Sequence, residues 1–340
     1  MLQRIATRLT HRIYEMPVLV LMPHSRCNCR CVMCDIWKAN SEKREISTED
    51  LATHIEVFKK LGVKRVAFSG GEALMHTNLW KFCDQLNSIG AKISLLSTGL
   101  TLRANASDIV SHVDDVIVSL DGSREIHNRI RNIPNAYEKL AEGVSAIKKI
   151  NPVFRVTGRS VIQKLNFKDF ENTVESAKAL GLDQISFLPA DVSSSAFNRP
   201  QEWEGERKEE VALSLAEADE LESILKNSFQ RFEKEYQKKF IAESPEKMLD
   251  VVKQYRAYYG KSNFPKRHCN APWVSAVIEP NGDVLPCFFH KSYGNIYDEP
   301  FEKIINSSKA ISFRKNLNIE EDITCKKCVC SLKVGLTQQV

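Results

Sequence analysis

Three cysteines carry the most evident chemistry in this chain: Cys27, Cys31 and Cys34, spaced C-x3-C-x2-C. Soft thiolates select iron–sulfur clusters or zinc. A cubane usually takes four cysteines, so three on one short loop would hold three irons and leave the fourth iron open to another ligand. Cys29 lies in the same loop, and recruiting it would make a closed four-thiolate zinc site. That alternative asks Cys27, Cys29 and Cys31 to converge within five residues, which weighs against it. Cysteine returns near the end of the chain, at Cys269 and Cys287 and then at Cys325, Cys328 and Cys330. Cys83 stands alone and reads as a small core hydrophobe.

These thiols need a scaffold. From Val18 to about Leu188 a strand–helix alternation repeats six times. The expected strands are Val18–Met22, Arg65–Ser69, Ile93–Ser97, Asp115–Leu120, Arg155–Ile162 and Gln184–Leu188, short and rich in Val, Ile and Leu as strands buried on both faces should be. Between them, Ser47 with Asp50 forms a capping box, Leu51, Ile55 and Phe58 share one helical face, and Gly62 closes that helix. Such alternation predicts a parallel sheet with right-handed crossovers, in an open doubly wound form or a partial barrel. Ligands then bind beyond the strand C-termini. The first cysteine group lies at that edge, as do Ser69-Gly70-Gly71-Glu72, Ser97-Thr98-Gly99, Ser119-Leu120-Asp121-Gly122 and Pro189-Ala190-Asp191. Residues 191–205 read as a polar break, and 206–260 as one or two charged surface helices with Leu221, Ile224, Leu225 and Phe229 on one side.

At 340 residues and 43% apolar composition, the chain can bury a large core. The longest clean apolar run, Val18–Met22, is far short of the roughly 20 residues of a membrane span, and the N-terminus lacks the apolar core of a signal peptide. A cytoplasmic protein is expected, whose grouped cysteines serve metal or redox chemistry rather than disulfides. A net charge of +5 is too mild and dispersed to argue for nucleic acid.

Taken together, the cysteine triad after the first strand and Gly70-Gly71-Glu72 after the second resemble the radical S-adenosylmethionine (radical SAM) superfamily. The resemblance implies an α/β fold, a partial (β/α)6 barrel whose 4Fe–4S cluster is held by Cys27, Cys31 and Cys34. The open iron would be chelated by the amino and carboxylate groups of SAM. Gly70, Gly71 and Glu72 would meet the SAM amino group, since glycines permit close backbone approach and a carboxylate suits an ammonium. Ser97 and Thr98, with Ser119 and Asp121, resemble segments lying near the SAM ribose, although Asp121-Gly122 also reads as a plain turn. Arg159 would pair with the SAM carboxylate or join a structural ion pair. The segment His127-Asn128-Arg129-Ile130-Arg131-Asn132 departs from the family's HDxxRG pattern at Asn128 and Asn132 and is given no catalytic role. Met33 stands where an aromatic residue is common.

The C-terminal cysteines are similar to the SPASM/Twitch extension of this family, a small domain with an auxiliary cluster. Cys269, Cys287, Cys325 and Cys328 would hold one auxiliary 4Fe–4S cluster, as in the shorter Twitch form. Cys330 follows at a spacing that fits no SPASM ligand. A zinc ribbon is the alternative. His268 and His290 adjoin this region as surface or supporting groups. The expected organisation is an N-terminal amphipathic segment (1–15), the barrel (16–200), a charged helical segment (201–262) and the auxiliary-cluster domain (263–340). The first segment either closes the barrel or touches a membrane surface.

The implied activity is reductive cleavage of SAM to a 5′-deoxyadenosyl radical that abstracts hydrogen from a substrate. The electron would come from a flavodoxin or ferredoxin. Few residues precede the first strand, leaving no room for a fused leader-peptide-binding domain. A small-molecule oxidation, dehydrogenase-like and aided by the auxiliary cluster, is therefore expected ahead of a peptide- or protein-modifying maturase. A different class, an electron carrier or zinc-stabilised scaffold, accounts for the cysteines but not for the glycine motif and the alternation.

Overall fold

The computed structural model describes residues 1–338, so the last two residues of the expected C-terminal domain lie outside it. Helix α1 (Leu2–Thr10) precedes β1 (Val18–Leu21). There follow α2 (Thr48–Lys60), β2 (Arg65–Phe68), α3 (Leu79–Ser88), β3 (Lys92–Ser97), α4 (Ala106–His112) and β4 (Asp115–Ser119). Next are α5 (Arg124–Arg131), α6 (Ala136–Ile150), β5 (Arg155–Ile162), α7 (Phe170–Ala179) and β6 (Gln184–Pro189). Four helices come after: α8 (Gly205–Val211), α9 (Leu215–Arg231), α10 (Glu233–Gln237) and α11 (Pro245–Tyr258). The C-terminal part holds α12 (Ala271–Val274), β7 (Ser275–Ile278), β8 (Asp283–Leu285), β9 (Gly294–Asn295), α13 (Phe301–Ile305), α14 (Ser308–Asn316) and α15 (Ile323–Lys327).

Strands β1 to β6 pair in parallel in sequence order, the arrangement expected of a partial barrel. Helix α2 starts where its residues dictate: Ser47 accepts from the Asp50 amide, the Asp50 carboxylate accepts from Ser47 N–H, and Gly62 takes a left-handed φ of 68° just beyond the helix. Burial alternates along β2, β4 and β6. One face packs under the helices, with Val66, Phe68, Val116 and Val118 in a single core with Phe58, Phe82 and Ile109. On β1 and most of β3 both faces are buried as expected, whereas on β2, β4 and β6 the other face is only half covered. On that face Ser119, Arg159 and Ser186 stand in register across β4, β5 and β6.

The sheet extends beyond the six expected strands, with no local pattern to announce it. Strand β7 pairs in parallel with β1, Val18 opposite Ser275 and Leu21 opposite Ile278, and β8 and β9 add antiparallel. The other edge is protected as well: Ile185 N–H donates to Phe240 C=O, and Ile185 C=O accepts from Ala242 N–H, covering β6. The helical segment is also more than a solvated face, because Leu213, Leu221, Leu225, Met248 and Tyr255 are fully buried in the main core. Its charges occupy only the outer sides of amphipathic helices. Helix α1 packs on α12, and Arg4 binds Glu15 and the Gly335 carbonyl, while Leu2 and Leu9 stay exposed. Cys83 is a buried core residue, as expected.

The C-terminal part shares the barrel's core through Phe301, which stacks edge-on against Phe58 with ring centroids 5.2 Å apart. Both rings are fully buried. Phe301→Ala should cost about 3–5 kcal/mol. Because core and sheet are continuous, denaturant should still give one transition; two separated transitions would show that the C-terminal part folds on its own.

Candidate active site

The cysteine loop between β1 and α2 is short of regular structure, and outside groups hold its backbone. The Asn40 side chain accepts from Cys27 N–H (2.8 Å) and donates to Cys27 C=O (2.9 Å). The end of α5 accepts from two loop amides, Arg30 N–H to Arg131 C=O (3.2 Å) and Val32 N–H to Ile130 C=O (3.1 Å). Trp37 Nε1 donates to Cys34 C=O at 2.9 Å. Gly71 seats the start of the loop: a Cβ there would lie 2.0 Å from the Arg26 carbonyl oxygen and 3.2 Å from Cys27 Cβ. The close approach that glycine permits is thus first to the loop itself. Gly70, at φ 99°, needs its left-handed conformation.

Cys27, Cys31 and Cys34 are brought near one another, with Cys27 feeling the charge of both others and Cys34 that of Cys31. Burial pushes Cys27 and Cys34 up to about 12, and neighbouring Cys31 adds to both shifts. Cys31 is pulled down to about 6, first by a hydrogen bond from Cys29 and then, against burial, by the Arg131 charge. Cys29 is wholly buried and pushed up, chiefly by that same bond. Three soft donors on one loop, with Asn28 Nδ2, His127 Nε2 and Arg131 Nε all buried and unpartnered, fit a cluster held by three cysteines.

The predicted SAM-contacting residues divide. Glu72 is fully buried; its Oε2 accepts from Thr98 N–H (2.6 Å), Thr98 Oγ1 (2.6 Å) and Ser97 Oγ (3.2 Å), whereas Oε1 accepts only from Leu74 N–H at 3.3 Å. Burial pushes its carboxyl up, against those hydrogen bonds. The Ser97 and Thr98 hydroxyls thus both reach Glu72, and Thr98 Oγ1 also lies 2.9 Å from Asn28 Oδ1. Asp121 is wholly buried, pairs with Arg131 and accepts from Val161 N–H at 2.8 Å, so it is more than a plain turn residue. Ser119 lies on the half-covered face beside Arg159, whose Nε is 3.5 Å from Ser186 Oγ. Among the described residues no carboxylate lies within salt-bridge distance of Arg159.

Residues 127–132, given no role from sequence, lie against the cysteine loop. His127 is fully buried, Asp121 N–H donates to its Nδ1 (3.2 Å), and burial lowers it to about 3, leaving it neutral. The departures from the family pattern have local reasons. Asn132 caps α5 at φ 53°, a conformation asparagine tolerates in place of glycine. Asn128 Oδ1 accepts from Tyr137 N–H at 2.8 Å. The signal that could have found Arg131 was the family arginine position itself.

In the C-terminal part Cys287 feels both Cys328 and Cys269, and burial lifts it to about 12. Cys325 feels Cys287 and Cys328, which draws the four predicted thiols together. Cys330, set aside on spacing, belongs to the same group: its thiol is hydrogen-bonded to Cys328 and feels Cys287 and Cys269. His290 is more than a surface neighbour, with Nε2 3.4 Å from Cys325 Sγ and 3.8 Å from the Asp322 carboxylate. The same Asp322 carboxylate accepts from Cys325 N–H at 2.8 Å, fixing the start of α15.

One cavity of about 470 Å³ joins the two regions, lined by Gly70, Gly71 and His24 on the barrel side and by Phe288, Phe289 and His290 opposite. Phe197 also lines it, stacked on Phe288 with centroids 6.1 Å apart. The supposed polar break is thus an ordered crossing of the barrel mouth. Arg199 holds it, buried, with Nη1 on Asp191 C=O (2.8 Å), Nη2 on the Asp191 carboxylate and its guanidinium over the Trp203 ring.

Residues 21–177 match the radical SAM superfamily, and 269–329 match the SPASM iron–sulfur cluster-binding domain. The AdoMet-dependent heme synthase of Methanosarcina barkeri is 24% identical over 322 residues, 90% of this chain and 86% of that protein. AlbA of Bacillus subtilis, the antilisterial bacteriocin subtilosin biosynthesis protein, is 22% identical over 289 residues, 83% of this chain and 58% of that one. Streptococcus suis SuiB bound to S-adenosylmethionine shares the fold with a TM-score of 0.66 at 14% identity, covering 96% of this chain and 75% of that one. The chain belongs to the radical SAM superfamily and carries a SPASM-type domain. Its cofactors are accordingly SAM and 4Fe–4S clusters, one of them auxiliary. Among the described residues no helix is long and apolar enough to cross a membrane.

Gly71→Ala should displace the loop at Arg26 and lower the iron content by about half, one cluster of two. Circular dichroism should remain that of the folded protein. Full iron content in this variant would show that the loop tolerates the displacement.

Proposed function

We propose that this enzyme oxidises a small molecule held in the cavity between the barrel mouth and the SPASM-type domain. The observation that carries this reading is that one cavity is walled by Gly70 and Gly71 on one side and by the neighbours of Cys287 on the other. Its volume of about 470 Å³ suits a small ligand. Cys27, Cys31 and Cys34 would hold the barrel cluster, and Cys269, Cys287, Cys325 and Cys328 the auxiliary one. When bound, SAM and the barrel cluster would supply one-electron radical chemistry, and the auxiliary cluster would supply a second one-electron couple.

The protein's own residues position and exclude. Glu72 Oε1, with its single long hydrogen bond, accepts from the SAM ammonium, while Ser97 and Thr98 keep Oε2 fixed. Arg159, with no carboxylate within salt-bridge distance among the described residues, takes the SAM carboxylate. Phe197, Phe288 and Phe289 keep water from the substrate and hold its apolar part. His24, lowered by burial to about 4, stays neutral in the wall. A flavodoxin or ferredoxin delivers the electron. The names of AlbA and of SuiB bound to a precursor peptide favour a second reading, in which a peptide enters the same cavity side chain first.

Four measurements test these assignments. Cys27→Ala, Cys31→Ala and Cys34→Ala should each abolish SAM cleavage, while Cys29→Ala leaves iron and cleavage nearly intact; a dispensable member of the three would break the triad assignment. Glu72→Gln should weaken SAM binding by about 1.5–3 kcal/mol, roughly ten- to a hundredfold, measured by titration. Wild-type protein should hold about eight irons, falling to about four in Cys325→Ala/Cys328→Ala. That double variant should still cleave SAM but form little oxidised product. Cleavage stimulated by peptides and by no small molecule would overturn the preferred substrate class.

A further inference from the structure

Arg131 is a buried cation lying against the cysteine loop, its side chain only 8% exposed. Each part of its guanidinium has a distinct surrounding. Nη2 meets the Asp121 carboxylate, Nη1 lies 3.5 Å from Cys31 Sγ, and Nε is buried with no partner among the described residues. The backbone of the same residue accepts from Arg30 N–H, next to Cys31 in sequence. The groups around it fix its charge. Burial pushes the Asp121 carboxyl up, against the Arg131 charge and Val161 N–H, and neighbouring His127 is neutral, so the pair turns its positive end to the loop and its negative end to β5.

We propose that Arg131 is a positioning residue of the barrel cluster, orienting the Cys31 sulfur and setting how readily the cluster accepts its electron. The proposal rests on Cys27, Cys31 and Cys34 being the cluster's ligands. Reduction adds negative charge in a site of low dielectric, so a fixed cation beside a ligand sulfur favours the reduced form. Hydrogen bonds to ligand sulfurs act in the same direction. The unpartnered Nε has a use only when a further acceptor is present, and a cluster provides sulfur. The planar fork matters because one edge must hold Asp121 while another faces the loop; an ammonium cannot do both with fixed geometry.

The test is a potentiometric titration of the anaerobic holoenzyme followed by EPR, scoring the cluster signal that changes when SAM is added. In Arg131→Gln the reduction equilibrium should fall about tenfold, a shift of about 59 mV to lower potential for a one-electron couple. Asp121→Asn should move it the opposite way, because the arginine charge is then uncompensated. Arg131→Lys keeps charge without the fork and should fall between wild type and Arg131→Gln. Should Arg131→Gln not retain the cluster, the opposite signs expected of Arg131→Lys and Asp121→Asn decide the matter. Midpoints that coincide with wild type, or that move in one direction for both residues, overturn the role of Arg131 alone. A wild-type protein in which no signal responds to SAM overturns the ligand reading and the proposal with it.

Discussion

A loop that turns three thiols toward one place cannot also pair its own amides and carbonyls, so those groups must be satisfied from outside. Around Cys27, Cys31 and Cys34 the partners come from different distances along the chain. Asn40 clamps Cys27 from the same loop, Ile130 and Arg131 receive two amides from the end of α5, and Glu72 N–H donates to Arg26 C=O beside Gly71. This explains why the glycine motif sits where it does. Gly71 must lack a side chain so that the second strand's exit can touch the first strand's loop, and the next residue then places its carboxylate under Ser97 and Thr98. A contact between two backbones thus passes its precision to a third strand end.

The parallel pairing of β7 with β1 extends the same constraint to the C-terminal domain. A domain joined by a flexible linker would leave the distance between the two cysteine groups loose. Here four residues of β7 are in register with the strand that leads into the first cysteine loop, and Phe301 locks onto Phe58 behind it. The cavity between Gly71 and Phe288 is therefore set by sheet geometry. The segment that brings Phe197 to the cavity is held by the Arg199–Asp191 pair.

Much of this was legible from local pattern. All six barrel strands lie within a residue or so of their expected limits, because short apolar runs between capped helices leave few alternatives. The cysteine groups and Glu72 were visible by type and spacing. What escaped depends on partners remote in sequence. Nothing near Ser275–Ile278 says that it pairs with Val18–Leu21, and the aspartate of Asp121-Gly122 reads as a turn until Arg131 is seen beneath it. The charged stretch 206–260 was legible in part: an apolar side with Leu221 and Leu225 was visible, but not that it packs into the barrel's own core beside Leu213 and Tyr255, all fully buried. Cys330 was excluded by spacing, whereas space puts it beside Cys328.

Two buried ion pairs, Arg131–Asp121 and Arg199–Asp191, sit where stability alone would not place them. Removing a charge from water costs several kcal/mol per ion, and apolar replacements are often neutral or better. Yet both pairs are rooted in the same edge of the sheet, Asp121 just past β4 and Asp191 just past β6. Each aspartate recovers part of its desolvation through backbone N–H donors, Val161 for Asp121 and Ser193 for Asp191. Each arginine in turn binds elements that no regular structure holds: Arg131 the cysteine loop, and Arg199 the Phe197 crossing through Ala196 C=O at 2.8 Å. An apolar pair could fill these volumes but could not fix direction, since dispersion contacts are weakly oriented and a guanidinium fork is not. The charges are kept at the mouth because two segments outside helix and strand must each be held in one conformation there, and directional bonds from a rigid sheet edge are what can do it.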